Sequence, residues 1–320
     1  MKITVIGCGR WGSFLAWYLD SIGHEVSLYG RKESRHMKEF LETRTNGVVT
    51  FPEKLHLITS LSAALENDTV VVSVPSQSFR TLLREIRDTK ISLTGKRFVL
   101  CMKGIEVASG MRLTEVFEEE LGREVPVAVW LGPGHVQEFV AGIPNCMVID
   151  SRDPALKKDL VEMFRGPLIR FYYGNDLIGN EVGAAAKNVI GIAAGILDGI
   201  GRSSLKGALM SRGTREIARL IQKLGGNELS AYGLCHLGDY EATVFSQYSH
   251  NRRYGEAFAK GESFPELAEG CETVKALVKL GKENGVDLPI CNAVYALLYE
   301  NLPIEKALGD LFLRSLKKEF

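Results

Sequence analysis

The stretch "KITVIGCGRWG", residues 2–12, decides the fold. An apolar run of strand character over 2–7 ends on Gly7, and Gly7, Gly9 and Gly12 fall in G-x-G-x-x-G spacing at the mouth of a helical run over 11–22. Glycines so placed permit a tight strand-to-helix turn and let the backbone approach a pyrophosphate at the positive end of the helix. A second strand candidate, "EVSLYG" (25–30), follows at the distance a βαβ unit requires. The stretch predicts a dinucleotide-binding unit.

Working outward, further strand candidates are "LHLIT" (55–59), "TVVVSV" (69–74), "RFVLCM" (97–102), "VAVWLG" (127–132), "CMVID" (146–150) and "IRFYY" (169–173), with helical runs such as 77–87, 112–121 and 154–164 between them. Near-continuous Val/Ile/Leu strands separated by helices predict a parallel sheet covered on both faces, a doubly wound Rossmann-type domain. From about residue 177 the pattern turns helical: "LIGNEVGAAAKNVIGIAAGIL", "TREIARLIQKL", "CETVKALVKLGKEN" and "IEKALGDLFLRSL" all repeat at helical spacing. The expected class is therefore α/β, with an NAD(P)-binding domain over 1–178 and an all-helical substrate-binding and catalytic domain over 179–320. A cleft between two such domains is the default place for a ligand.

Bulk properties bound the function. With Lys plus Arg and Asp plus Glu both at 39, no net field favours nucleic acid or a membrane surface. The six cysteines (Cys8, Cys101, Cys146, Cys235, Cys271, Cys291) occur singly, as expected of reduced thiols in a cytoplasmic protein. No signal peptide is read at the N-terminus, and Asp198 interrupts the best candidate for a membrane span. No metal is expected, because the six histidines show no ligand spacing. His24, His36, His56, His135 and His236 are read as surface or turn residues.

The end of the second strand bears on the choice of nucleotide. A site preferring NAD usually offers a carboxylate there for the ribose 2′-hydroxyl. This chain instead offers "YGRKESR", with Arg31 and Lys32 after Gly30. Cations attract a 2′-phosphate, which points to NADP(H), with NAD(H) tolerated.

Two lysines carry the chemistry. "GAAAKNVIGIAAGI" (183–196) reads as a small-residue buried helix, yet it holds Lys187 and Asn188. Burying an unpaired ammonium costs several kcal/mol, so Lys187 must be neutral, paired or facing a polar cleft. Desolvation and a nearby cation lower a lysine pKa toward the working pH and suit it to acid–base work. Lys103, in "VLCMKGIE" directly after an apolar strand, supplies that cation at the end of the sheet where open α/β folds place their ligands.

These residues resemble the nicotinamide-dependent glycerol-3-phosphate dehydrogenases of the bacterial type over nearly the whole chain. The landmarks stand in that family's order: "GCGRWG", "SVPSQ" (73–77), "MKGIE" (102–106), "LGPG" (131–134), "GAAAKNVIGIAAGILDGIG" (183–201), "LGD" (237–239), "NRRYG" (251–255) and "AEGCETV" (268–274). The resemblance implies hydride exchange between NAD(P)H and dihydroxyacetone phosphate, giving sn-glycerol 3-phosphate for phospholipid synthesis; a homodimer is expected from the apolar faces of the helical domain. It implies Lys187 as proton donor and acceptor, Lys103 as substrate-holding lysine, and Asn188, Asp239 and Thr243 around the substrate hydroxyls and lysines, with Asp239 counted in the catalytic set. Gly132, Ser249, His250 and Asn251 complete the implied substrate site. Arg10, Trp11, Arg31, Lys32, Lys103, Val136, His250 and Glu269 join the three glycines around the cofactor.

Two departures stand out. Gly134 replaces the serine of the family's "GPS", and His250 replaces an arginine expected to reach both substrate phosphate and cofactor. Affinity for dihydroxyacetone phosphate is then expected to fall as pH rises through the titration of His250, unless Arg252 or Arg253 compensates. Competing readings are a dehydrogenase of a small hydroxy acid or opine-like substrate, against which "NRRYG" and Lys103 argue, and a non-catalytic NADP(H) sensor, which needs neither lysine.

Overall fold

The computed structural model describes residues 1–315, so Leu316, the last residue of the fourth helical run, and the remainder of the second expected domain lie outside the described residues. Two compact units are present, Met1–Lys103 with Met111–Glu181, and Gly104–Gly110 with the chain from Val182 onward.

The first unit alternates β1 (Lys2–Ile6), α1 (Arg10–Ser21), β2 (Glu25–Tyr29), α2 (Arg35–Thr43), β3 (His56–Ile58), α3 (Leu61–Ala64), β4 (Thr69–Val72), α4 (Phe79–Asp88), β5 (Arg97–Leu100), α5 (Leu113–Leu121), β6 (Val127–Leu131), α6 (Val136–Val140), β7 (Asn145–Asp150), α7 (Pro154–Phe164) and β8 (Ile169–Tyr173). All eight strands fall on the predicted runs. They form one sheet in the order β3-β2-β1-β4-β5-β6-β7-β8. The order reverses between β1 and β4, the switch point at which a doubly wound sheet opens a crevice.

One pairing departs from expectation, since β7 runs antiparallel to β6, with Trp130 opposite Ile149. The connection holds only the five-residue α6, too short for the crossover that a parallel neighbour needs. The central strands are mostly apolar because both faces are covered, as in β4, whose four residues are all buried, whereas the edge strands β3 and β8 are partly exposed. On one face α1 and α7 bury Phe14, Tyr18 and Phe164 against Trp130, and on the other Phe117 of α5 meets Phe98 of β5 at 5.0 Å between ring centres. Each fully buried aromatic of this kind contributes about 1.5–3 kcal/mol through area removed from water.

The second unit is helical: α8 (Leu177–Gly199, which begins in the first unit), α9 (Lys206–Lys223), α10 (His250–Lys260), α11 (Gly270–Glu283), α12 (Pro289–Tyr299) and α13 (Ile304–Phe312). The small residues of α8 have a steric cause. A Cβ on Gly195 would stand 1.9 Å from Arg252 O, and one on Gly255 of α10 would stand 2.1 Å from Ile192 O. With Gly191 and Gly199 one turn to either side, α8 offers a groove in which α10 lies backbone to backbone. By length and composition α8 could cross a bilayer, contrary to the reading of Asp198 as an interruption, but 78% of its most apolar window is buried inside the protein. Burial in the core accounts for that apolarity.

Candidate functional site

In the first unit the glycine turn lies at the switch point. Gly7 has φ +113°, and its Cβ would meet Ser73 O at 2.0 Å, while a Cβ on Gly12 would meet Gly7 O at 1.9 Å. Both glycines are demanded by the protein's own packing. Gly9 is different, since its φ of −72° suits any residue and a Cβ there would meet nothing within 4 Å. The space in front of Gly9, at the N-terminus of α1, fits the pyrophosphate of a dinucleotide. Trp11 packs against Phe14 and Phe139, with ring centres 5.1 and 6.3 Å apart. Its Nε1 is buried without a hydrogen-bond partner among the described residues, a donor that a bound group at the turn could satisfy. Arg10 donates through Nη2 to Gln137 Oε1 at 2.6 Å.

At the end of β2 a Cβ on Gly30 would strike Cys8 Sγ at 2.5 Å. Arg31 extends beyond it and donates to Glu85 Oε1 of α4 at 2.7 Å, while Lys32 is exposed. The sequence reading found no carboxylate here because Glu85 arrives from a distant element. Lys103, just past β5, donates to Gly132 O at 2.6 Å and stands 5.9 Å over the Trp11 ring. It thus ties the ends of β5 and β6 to the glycine turn. Gly134 has φ +142°, and a Cβ there would sit 2.2 Å from the ring of Phe139. The hydroxyl missing from "GPG" is therefore linked to a ring that occupies its side. Val136 opens α6 with its side chain in the core.

In the second unit the buried ammonium finds partners. Lys187 Nζ lies 3.0 Å from Asp239 Oδ2 and donates to Thr243 Oγ1 at 2.8 Å, while Thr243 passes its own proton to Asp239 O at 2.7 Å. Thr243 rides on a single π-helical turn, Glu241–Phe245, a distortion that often marks functional sites. Asn188, beside Lys187, is also buried.

His236, read as a surface or turn residue, does lie in a turn but is fully buried. Nδ1 donates to Gly183 O at 2.9 Å, and Nε2 lies 2.8 Å from Tyr240 Oη. Burial pushes its pKa down to about 4, so the ring is neutral and Nε2 accepts the tyrosine proton. Its place three residues before Asp239 was the signal available in the sequence.

Around α10, Ser249 caps the helix by accepting from Arg252 N at 3.3 Å, and Asn251 Oδ1 accepts from Gly270 N at 2.9 Å. The His250 ring turns to the segment after α10, with Nε2 3.3 Å from Glu266 Oε2 and Nδ1 3.3 Å from Leu267 O. Both arginines considered as compensators are in ion pairs, Arg252 with Glu256 and Asp198, Arg253 with Glu266. Glu269 caps α11, and its carbonyl accepts from Thr273 Oγ1 at 2.9 Å.

A Rossmann-type unit with a dinucleotide turn, joined to a helical unit holding a buried lysine–aspartate pair, defines the class of nicotinamide-dependent oxidoreductases. The N-terminal and C-terminal families described as NAD-dependent glycerol-3-phosphate dehydrogenase match residues 2–157 and 176–309. The chain is 39% identical to glycerol-3-phosphate dehydrogenase [NAD(P)+] of Prosthecochloris aestuarii over the whole of both chains. It is 37% identical to the protein of the same name in Pelodictyon phaeoclathratiforme, over 100% of this chain and 99% of the other. The crystal structure of glycerol-3-phosphate dehydrogenase from Coxiella burnetii superposes with a TM-score of 0.92 at 31% identity, covering 98% of this chain and 99% of that one. The chain belongs to the NAD-dependent glycerol-3-phosphate dehydrogenase family.

Proposed function

We infer that this protein is an NAD(P)-dependent oxidoreductase that interconverts dihydroxyacetone phosphate and sn-glycerol 3-phosphate, the latter serving glycerophospholipid synthesis. The observation that carries the chemistry is the buried Lys187, paired to Asp239 and Thr243. Bound at the Gly7–Gly12 turn, NAD(P)H supplies the hydride. The chain's own residues supply the proton and the field.

Lys187 donates a proton to the carbonyl oxygen in the reducing direction and recovers it in the other, a role that contributes about 10²–10⁴-fold. Asp239 pairs with the amine at 3.0 Å, and Thr243 orients it, because the threonine proton is committed to Asp239 O and only lone pairs face the amine. Lys103 places a second positive charge for substrate oxygens. Family membership supports assigning Asn188, Gly132, Ser249, His250 and Asn251 to substrate binding, and Arg10, Trp11, Arg31, Lys32, Val136 and Glu269 to cofactor binding.

The free cysteines among the described residues suit a reducing cytoplasm. Exposed Phe312 and Leu313, at and just past the end of α13, support a homodimer. The test is loss of absorbance at the nicotinamide band: the purified chain should consume NADPH with dihydroxyacetone phosphate, whereas Lys187→Ala binds NADPH and consumes none. Binding without turnover in the unaltered chain would overturn the reading.

A further inference from the structure

His236 lies outside the groups given a chemical task above, yet it touches both elements that carry them. Its Nδ1–H donates to Gly183 O at 2.9 Å. Gly183 stands four residues before Lys187 on α8, so the same carbonyl is the one to which the Lys187 backbone N–H is directed in an α-helix. Contact there is close, because a Cβ on Gly183 would stand 3.0 Å from His236 Cβ. On the other side Asp239 N donates to His236 O at 3.0 Å, closing the tight turn Leu237–Asp239 that presents the carboxylate. Tyr240 Oη, one residue beyond Asp239, locks the far edge of the ring at 2.8 Å. The imidazole is therefore a strut from the turn bearing Lys187 to the turn bearing Asp239.

We propose that His236 is a positioning residue for the reaction, setting the Lys187–Asp239 separation through its Nδ1–H bond to Gly183 and its backbone bond to Asp239. The inference rests on the reading of Lys187 as proton donor. It specifies the neutral tautomer protonated on Nδ1, since Gly183 O can only accept. It also explains why a ring so close to a catalytic lysine serves without exchanging a proton with substrate: both ring nitrogens are taken by Gly183 and Tyr240.

The test compares two amides. His236→Asn carries its N–H at the place of Nδ1, while His236→Gln reaches instead toward Nε2. We expect His236→Asn to keep kcat within about 5-fold and His236→Gln to lose at least about 20-fold, with the KM for NADPH within 2-fold in both. Equal kcat in the two variants overturns the proposal. Tyr240→Phe, which keeps the Gly183 bond, should hold kcat within about 3-fold, and a larger loss assigns the effect to general packing and also overturns it.

A second readout needs no turnover. Competitive acetylation with acetic anhydride, read by mass spectrometry, should show Lys187 labelled several-fold faster relative to Lys206 in His236→Gln and unchanged in His236→Asn. Equal labelling of Lys187 in all forms sinks the proposal even if the unaltered chain proved inactive on dihydroxyacetone phosphate, so the two failures are distinguishable.

Discussion

Lys187 Nζ stands 3.0 Å from Asp239 Oδ2, with the lysine side chain 10% exposed and the aspartate 1%. At that burial each charge depends on the other, because removing one partner leaves an uncompensated ion in a poorly solvated place. Asp239→Asn should lower kcat about 10²-fold and destabilise the helical unit by about 3 kcal/mol. Lys187→Met should lower kcat at least about 10³-fold. The double variant should regain stability over Asp239→Asn without regaining activity. Additive stability losses in urea melts would show that the two groups do not act as a pair.

Gly9 and Gly12 separate ligand binding from folding. Gly9→Ala meets no protein atom within 4 Å, whereas Gly12→Ala drives its methyl onto Gly7 O at 1.9 Å. Gly9→Ala should melt within about 2 °C of the unaltered chain, since nothing in the fold opposes it. Its Kd for NADPH should rise at least about 10-fold, because the methyl takes the place of the pyrophosphate. Gly12→Ala should lower Tm by several degrees. Fluorescence titration and thermal melts on the two proteins decide the matter, and a normal NADPH affinity in Gly9→Ala contradicts the assigned crevice.

The sheet was legible in the sequence because a strand buried on both faces writes itself as a run of Val, Ile and Leu. "TVVVSV" became β4, with all four of its residues buried. Direction was less legible: nothing in "CMVID" distinguishes a parallel from an antiparallel neighbour, and only the shortness of α6 made β7 antiparallel. Lys187 was conspicuous for the opposite reason, a charge where the pattern demands none. Contacts across long stretches of chain were hidden. Glu85 lies 54 residues from Arg31, and the Phe139 ring that crowds Gly134 is stacked on Phe14, from the first helix of the chain. His236 was legible as a turn residue but not as a buried one, because its acceptor, Gly183 O, comes from 53 residues earlier.

The Arg31–Glu85 pair, 61% and 40% exposed, bears on cofactor choice. A 2′-phosphate must draw Arg31 away from Glu85, and an exposed pair of this kind holds by less than about 1 kcal/mol. Glu85→Gln should therefore tighten NADPH by up to about 5-fold and leave NADH nearly unchanged. Arg31→Ala should weaken NADPH about 10-fold or more and NADH little. Side-by-side titrations with 2′,5′-ADP and with AMP give the same contrast without catalysis, and a parallel change for both ligands would remove Arg31 from the ribose site.

Gly134 carries a structural cost for any return to serine. Its φ of +142° disfavours every L side chain, and the ring met at 2.2 Å belongs to Phe139, itself 1% exposed and stacked on Phe14 at 4.8 Å. Gly134→Ser should cost about 2–4 kcal/mol from strain and overpacking together. Adding Phe139→Leu should return part of that loss despite removing apolar surface. If Gly134→Ser alone melts like the unaltered chain, the ring does not set the residue at this position.

Two buried groups in the helical unit shift in opposite senses and should nearly conceal each other in the pH dependence of stability. Burial pushes His236 down to about 4. Burial pushes the Glu216 carboxyl up to about 7, against the two backbone N–H groups of Ile290 and Cys291 that it accepts at 2.8 and 2.9 Å. Between pH 4 and about 6.5 the unfolded chain binds a proton at His236 that the folded chain refuses, so this group makes stability rise with pH. Between about 4.5 and 7 the folded chain keeps a proton on Glu216 that the unfolded chain releases, so that group makes stability fall as pH rises. Each slope approaches about 1.4 kcal/mol per pH unit in its window, and from about pH 4.5 to 6.5 they oppose each other. Glu216→Gln should therefore show stability climbing with pH over that range relative to the unaltered chain, and His236→Asn should show it falling. Taking differences between variants removes the contribution of every other titrating group. Urea unfolding at half-unit steps from pH 4.5 to 7.5 measures it, and parallel curves for all three proteins would mean that neither group is buried as described.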